Sequence, residues 1–504
     1  MFELIENEIG NKSITENGAV GFESSKSYLL DMNYQVSSFR DACSCDILPL
    51  FQRAFFENKE YAIKWLFYAR DVREGLGERR LFRICFKRLV DLDIDVFYKN
   101  LNNISEYGRW DDLVSLIGIS DVTDKRIINI INIQLANDLI AMDKNEPISL
   151  LGKWLPSENA SSKETKKLAR KIIKLMDTTP RKYRLMLSKL RNYLDVVEVK
   201  MCDNQWREID YEKVPSLANL KYKDAFLRHD DERRREYLES VAKGKTKMNM
   251  SVATPVDIVS KYKCNDFYST IKDYDETLEV AWDNLKDISV EDTLVVADGS
   301  GSMYTPVGNG RVQAIDVATA LAIYTSEHNS GVYKNKYITF SSRPQFVDMS
   351  KDTCLMEKIE HSKKHHEVSN TNIEAVFDLI LNIAVRHNVP SDAMIDNVLI
   401  ISDMEFDASQ SMGFYRSECN PLTKPLFEEI KERYNHYGYY LPKLIFWNVN
   451  SRTKTIPLLE NDLGVTLVSG FSQNVLKMVM SNKYDPYEVL IDTITSKRYD
   501  KVGI

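Results

Sequence analysis

The sequence predicts an α-helical region followed by an α/β domain with a doubly wound parallel sheet. Two observations carry that expectation. From about residue 46 to 282, apolar residues recur at helical spacing and almost no β-rich run interrupts them. From about residue 287 the grammar switches to short apolar strands alternating with amphipathic helices, the pattern of a parallel sheet covered on both faces. A third observation marks the functional end of that sheet. The stretch Thr-Leu-Val-Val-Ala-Asp-Gly-Ser-Gly-Ser-Met from Thr293 to Met303 is a wholly apolar strand that stops at an acid and then alternates Gly and Ser.

The elements follow in order. Residues 1–45 are polar and rich in Ser and Asn, and they read as an N-terminal arm or loosely packed lead-in. Residues 46–286 form the predicted helical domain. Tyr61, Ala62, Trp65, Leu66 and Ala69 fall on one helical face, as do Leu81, Ile84, Cys85 and Leu89 beyond Gly75 and Gly77. Further helices are predicted at 126–143, 162–176, 181–196 and 233–242. Such helices cannot each bury a face alone and are expected to pair and stack as helical repeats do, although no strict period is present. Residues 287–504 form the predicted sheet domain, with strands ending at Asp298 and at 337–340, 345–347, 398–401, 443–449 and 465–468. Its helices begin near Ala314, Ile373 and Leu422.

Composition bounds the function. Charged residues at 28% and hydrophobic ones at 43% are those of a globular protein. The sequence shows neither an apolar run long enough to span a bilayer nor a charged-then-apolar leader, so a cytoplasmic location without membrane contact is expected. Seven scattered cysteines imply neither a disulfide framework nor a zinc ribbon, and mostly buried, reduced thiols are expected. The net charge of −7 argues against indiscriminate coating of nucleic acid.

Asp298, Ser300 and Ser302 are spaced so that their oxygens can converge in an extended turn. A second apolar strand, Val-Leu-Ile-Ile-Ser, ends at Asp403, and Thr371 precedes an amphipathic helix. Oxygen-only ligands suit a hard cation, Mg²⁺ before Ca²⁺ or Mn²⁺, rather than zinc. The order Asp-x-Ser-x-Ser, then Thr, then Asp resembles the metal-ion-dependent adhesion site (MIDAS) of von Willebrand factor A domains, complete at Asp298, Ser300, Ser302, Thr371 and Asp403. That resemblance implies that the serines and the threonine ligate the metal while the aspartates mostly hold its waters.

The helical half carries Arg70-Asp71 with Gly75, Gly77, Glu78 and Arg79, then Tyr107-Gly108-Arg109-Trp110-Asp111-Asp112-Leu113, then Trp154-Leu155-Pro156-Ser157-Glu158. With the adhesion-site motif downstream, this arrangement resembles the Ro (TROVE) ribonucleoprotein group. The resemblance implies HEAT-like helical repeats closed into a ring or arch that binds small structured, misfolded or single-stranded RNA. Residues 151–200 hold 13 Lys and Arg against 5 Asp and Glu, a local balance of +8. Arg170, Lys171, Lys174, Arg181, Lys182, Arg184, Lys189 and Arg191, interleaved with Tyr183 and Tyr193, are therefore candidates to contact phosphates and stack bases. The alternative for that cluster is a solvated helix face.

Other motifs carry less. Thr371 with Glu374 reads as a helix capping box, which is compatible with a metal-facing hydroxyl. Glu405 either supports the metal's waters or is exposed. His361, His365 and His366 have spacing that a transition metal could use but lack matching ligands nearby. Ser300 lacks the glycine spacing and histidine partner of a nucleophile elbow. Gly308-Asn309-Gly310-Arg311 lacks the Lys-Ser/Thr of a phosphate-binding loop. The expectation is a non-enzymatic RNA-binding protein whose metal-dependent domain recognises a protein partner through an acidic residue. A metal-dependent assembly adaptor without RNA is the alternative.

Overall fold

The computed structural model describes residues 10–262, 273–308, 312–340, 343–367, 371–408, 425–480, 483 and 485–504. Asn309 to Arg311, Cys264, Cys419 and the start of the helix predicted from Leu422 lie outside the described residues. The chain divides into two compact units, neither of them continuous in sequence. The first comprises Met1–Trp65, Glu74–Leu76 and Met250–Arg498; the second comprises Leu66–Arg73, Gly77–Asn249 and Tyr499–Ile504.

The first unit is built on strands β1 (Lys12–Ile14), β2 (Val20–Phe22), β3 (Thr293–Asp298), β4 (Pro306–Val307), β5 (Val312–Gln313), β6 (Lys336–Phe340), β7 (Gln345–Asp348), β8 (Asn397–Ser402), β9 (Lys443–Asn448) and β10 (Val465–Ser469). Six of them form one sheet in the order β10-β9-β8-β3-β6-β7. All neighbours are parallel except β6 and β7, a hairpin that can only pair antiparallel. Val295, Val296, Leu399, Ile400, Phe446 and Trp447 are fully buried, which explains why these strands read as continuous apolar runs. The helix Ala314–Glu327, buried along most of its length, packs against β3.

The lead-in differs from the expected loose arm. The helix Tyr28–Tyr34 buries Leu29, Leu30, Met32 and Tyr34. The Asn448 side chain donates to Tyr34 O at 2.9 Å, and the Ser37 and Ser469 hydroxyls meet at 2.7 Å. Phe22 and Ile456 exchange backbone hydrogen bonds of 2.8 Å. A Cβ on Gly21 would lie 2.5 Å from Ile456 O, so only glycine permits this approach. A segment with short, dispersed apolar clusters looked loose because its partners lie more than 400 residues away. The compact units divide the chain elsewhere than at 45 and 286, with the helices Ser44–Glu57, Pro255–Val259 and Glu276–Asp283 in the first unit.

The second unit is helical, with Arg79–Leu92, Asp121–Asp143, Lys163–Leu175, Pro180–Tyr193 and Asp231–Ala242 matching the predicted helices to within a few residues. Of the described cysteines only Cys85 is buried; Cys43, Cys45 and Cys202 are exposed, contrary to the expectation of buried thiols. No described helix is long and apolar enough to cross a membrane.

Candidate functional site

Parallel register sets the site. Ala297 on β3 pairs with Ile401 on β8, so Asp298 ends one strand level with Ser402, and Asp403 follows immediately. The Ser402 hydroxyl donates to Asp298 Oδ2 at 2.6 Å, and the Ser300 N–H donates to Asp298 Oδ1 at 2.9 Å. The Ser300 and Ser302 hydroxyls lie 3.1 Å apart, and the Ser302 side chain hydrogen-bonds to Asp403. Beyond Asp403 the chain turns through Met404, which adopts the left-handed conformation with φ of 62°, a strained position for a residue with a side chain. That turn sends Glu405 back into the protein.

Thr371 reaches this group through the lead-in. The Asn17 amide donates to Thr371 Oγ1 at 3.0 Å and to Glu405 O at 2.6 Å, while Asp407 N–H donates to Thr371 O at 3.0 Å. The expected capping box is absent: Ile373 precedes the helix Glu374–His387, and Asn372 supplies the cap by accepting from Ala375 N–H at 3.0 Å. Glu374 instead pairs with Arg433. The Thr371 side chain is buried, with its hydroxyl accepting from Asn17.

The electrostatics are unbalanced. Burial pushes the Asp298 carboxyl above the ordinary carboxylate range, and hydrogen bonds from Ser300 and Ser402 only partly offset this. Asp403 is raised by burial first and by Asp298 second, opposed by Arg452. Arg452 Nη2 stands 3.4 Å from Asp403 Oδ2 and 2.9 Å from Glu16 Oε2. Two buried carboxylates beside the hydroxyls of Ser300 and Ser302 fit a hard divalent cation. Among the described residues no group of three His, Cys, Asp or Glu is placed to hold a metal.

Two residues emerge that sequence reasoning missed or misplaced. Glu405 is fully buried rather than exposed, accepting from the N–H groups of Arg452 at 2.8 Å, Thr453 at 2.9 Å and Glu16 at 2.9 Å. It therefore organises the segment that carries Arg452. The spacing Asp-x-Glu after an apolar strand was the available signal, and its partners were not visible. The three histidines diverge: His361 meets Asp352 at 2.8 Å, His365 faces Gln345, and His366 is half-buried beside Tyr304 and Thr319.

In the helical unit the cationic cluster splits. Arg191 is spent on its own fold, donating to Gly152 O, Ser157 Oγ and Leu155 O at 2.7–3.0 Å. Tyr183 is buried with its hydroxyl on Pro156 O at 2.9 Å, so it cannot stack on a base. Both anchor the Trp154–Glu158 segment, because a helix side chain with spare donors satisfies carbonyls that the turn leaves open. Arg184 pairs with Glu158 and Lys171 with Asp124, each at 2.7 Å. Arg170, Lys174, Arg181, Lys182 and Lys189 are exposed and have no acidic partner among the described residues.

The other quoted motifs are structural as well. Arg70 Nε donates to Asp112 Oδ2 at 2.8 Å, and Arg83 donates to Asp112 Oδ1 at 2.7 Å and Asp111 Oδ2 at 2.8 Å. The Arg109 guanidinium lies over Trp154, 4.9 Å from the ring centre. A Cβ on Gly108 would fall 2.7 Å from Asp112 Oδ2 and 3.0 Å from Arg70 Nε, which accounts for glycine between Tyr107 and Arg109.

The chain is thus a helical region joined to an α/β sheet domain that carries a hydroxyl–carboxylate cluster at the carboxyl edge of its sheet. Two family models match adjoining stretches of it, each described as a domain of unknown function: DUF2828 over residues 125–292 and DUF7788 over residues 292–500. It is 31% identical over 526 residues to "Uncharacterized protein L728" of Acanthamoeba polyphaga mimivirus, covering 96% of this chain and 88% of that protein. The chain belongs to the same family as this viral protein. The five candidate metal residues fall in the DUF7788 match and the cationic cluster in the DUF2828 match, whereas the Arg70–Asp112 staple precedes both.

Proposed function

We propose that this is a non-catalytic, metal-dependent binding protein whose sheet domain, of von Willebrand A type, captures a carboxylate of a protein partner. The observation that supports this reading is the meeting of Asp298, Ser300, Ser302 and Asp403 at the ends of two adjacent parallel strands. Ser300, Ser302 and Thr371 would hold the ion through neutral hydroxyls, with Asp298 and Asp403 holding its waters. Bound there, Mg²⁺ or Mn²⁺ supplies an open coordination position that stays electrophilic, because most of its protein ligands are uncharged. Titrating the full chain with Mn²⁺ tests this. Wild type is expected to bind one ion that Asp298→Ala loses, and wild type but not the variant should retain an acidic partner in Mg²⁺ and release it in EDTA.

RNA binding of Ro type is the second reading, supported by the five unpaired cations on the outer sides of the helices Lys163–Leu175 and Pro180–Tyr193. Exposed Lys and Arg on neighbouring helices can follow a phosphate backbone. Filter binding of single-stranded RNA at several salt concentrations decides between an RNA-binding protein and an adaptor without RNA.

A further inference from the structure

The carboxylates of Asp403 and Glu16 share a single nitrogen, Nη2 of Arg452, at 3.4 and 2.9 Å. Their oxygens are therefore no farther apart than those two contacts laid end to end. Glu16 does not sit on a free tail. Its own N–H donates to Glu405 Oε2 at 2.9 Å, Thr15 Oγ1 donates to Phe406 O at 2.6 Å, and Ala408 N–H donates to Asn17 O at 3.1 Å. The Asn17 side chain bridges Thr371 Oγ1 and Glu405 O. The turn that bears Glu16 is thus bonded to the segment leading away from Asp403 and to a hydroxyl of the ligand set, while the Glu16 side chain remains half exposed. Asp298, Asp403, Glu16 and Asp407, whose charge acts on Asp298, outnumber the guanidinium of Arg452, so the cluster is short of positive charge. A cation among the hydroxyls repels the guanidinium and attracts the half-exposed carboxylate it releases.

We propose that Glu16 is a built-in ligand of the metal centre. With the cation bound, its carboxylate leaves Arg452 and completes the coordination shell from within the chain, so that a partner's carboxylate must displace it. This inference rests on the metal-dependent reading given above. It assigns the lead-in turn a gating role and predicts that free carboxylates compete with Glu16 rather than with Asp298 or Asp403.

The test uses the full chain and Mn²⁺ alone, read by electron paramagnetic resonance for affinity and by water-proton relaxation for the number of exchangeable waters on the ion. Glu16→Gln keeps the size and the backbone bond of the residue. It is expected to weaken Mn²⁺ binding by about tenfold and to raise the relaxivity per bound ion, which acetate then lowers again. A Glu16→Gln protein with wild-type affinity and wild-type relaxivity overturns the built-in ligand and leaves the metal site standing. Failure of wild type to bind Mn²⁺, or binding that survives Asp298→Ala unchanged, overturns the metal site and this inference together.

Discussion

Asp112 in the helical unit and Asp403 at the sheet edge are equally inaccessible to solvent, yet their surroundings differ in kind. Asp112 accepts from Arg70, from Arg83 and from the N–H of Arg109. Asp403 has a neighbouring carboxylate, a serine hydroxyl, the N–H of Glu405 at 3.3 Å and one guanidinium at 3.4 Å that it shares with Glu16. A buried acid whose charge is fully met by its own chain is a structural staple. A buried acid left short of positive charge is where the chain expects something from outside.

Breaking the staple gives the largest effect. Arg70→Ala leaves Asp112 buried with its main cation gone and is expected to cost about 3–5 kcal/mol, measured by urea denaturation of the full chain. Asp112→Asn in the Arg70→Ala background should recover part of that loss, and an additive double mutant would show that the pair is not coupled.

His366 offers a pH test near the metal site that does not involve its ligands. Burial, then Lys363 and His365, lowers its pKa to about 4. Because the folded pKa lies below the unfolded one, this contribution to stability is present above about pH 6.5 and is lost as pH falls toward 4. The loss approaches about 3 kcal/mol at the bottom of that window. His366→Gln should flatten the stability profile between those limits, and an unchanged profile would remove His366 as the titrating group.

The proposed metal site should respond to ligand rather than to pairing. At a Mg²⁺ concentration 100 times its dissociation constant, wild type should gain about 2.7 kcal/mol, seen as a rise in melting temperature. Asp298→Asn should gain nothing and, without metal, should be no less stable than wild type. A large metal-free destabilisation would place Asp298 with the staples.

The smallest expected effect concerns the cations outside both clusters. Replacing Arg181, Lys182 and Lys189 with alanine should lower the salt slope of RNA affinity by about 0.7 per lost phosphate contact without altering stability. Arg191→Ala, by contrast, should destabilise the Trp154–Glu158 segment whether or not RNA binds.

The sheet was legible because a strand buried on both faces is written as an unbroken apolar run, and its end as an abrupt acid. Asp298 and Asp403 could be placed on adjacent strand ends for that reason. What could not be read is which polar groups find partners within the chain. Arg191 and Arg181 look alike in sequence, but a residue's place on the helix face decides whether its guanidinium meets carbonyls or water. Glu405 gave no sign of burial, since the donors that satisfy it come from the segments around Glu16 and Arg452. The same distance in sequence hid the lead-in, whose apolar residues fit partners on β9 and β10.

Each compact unit joins pieces that lie far apart in the sequence. The Phe22–Ile456 and Ser37–Ser469 bonds join segments of the sheet unit, and Tyr499 stacks on Tyr107 within the helical unit, with ring centres 5.5 Å apart. At a synthesis rate of about 5–20 residues per second, the segment around Phe22 waits roughly 20–90 s for its partner strands to be made. Throughout that interval the helix Tyr28–Tyr34 can pack on Ser44–Glu57, but the face it turns to β10 has no partner. The early polypeptide therefore keeps that apolar face unpaired until β10 has been made.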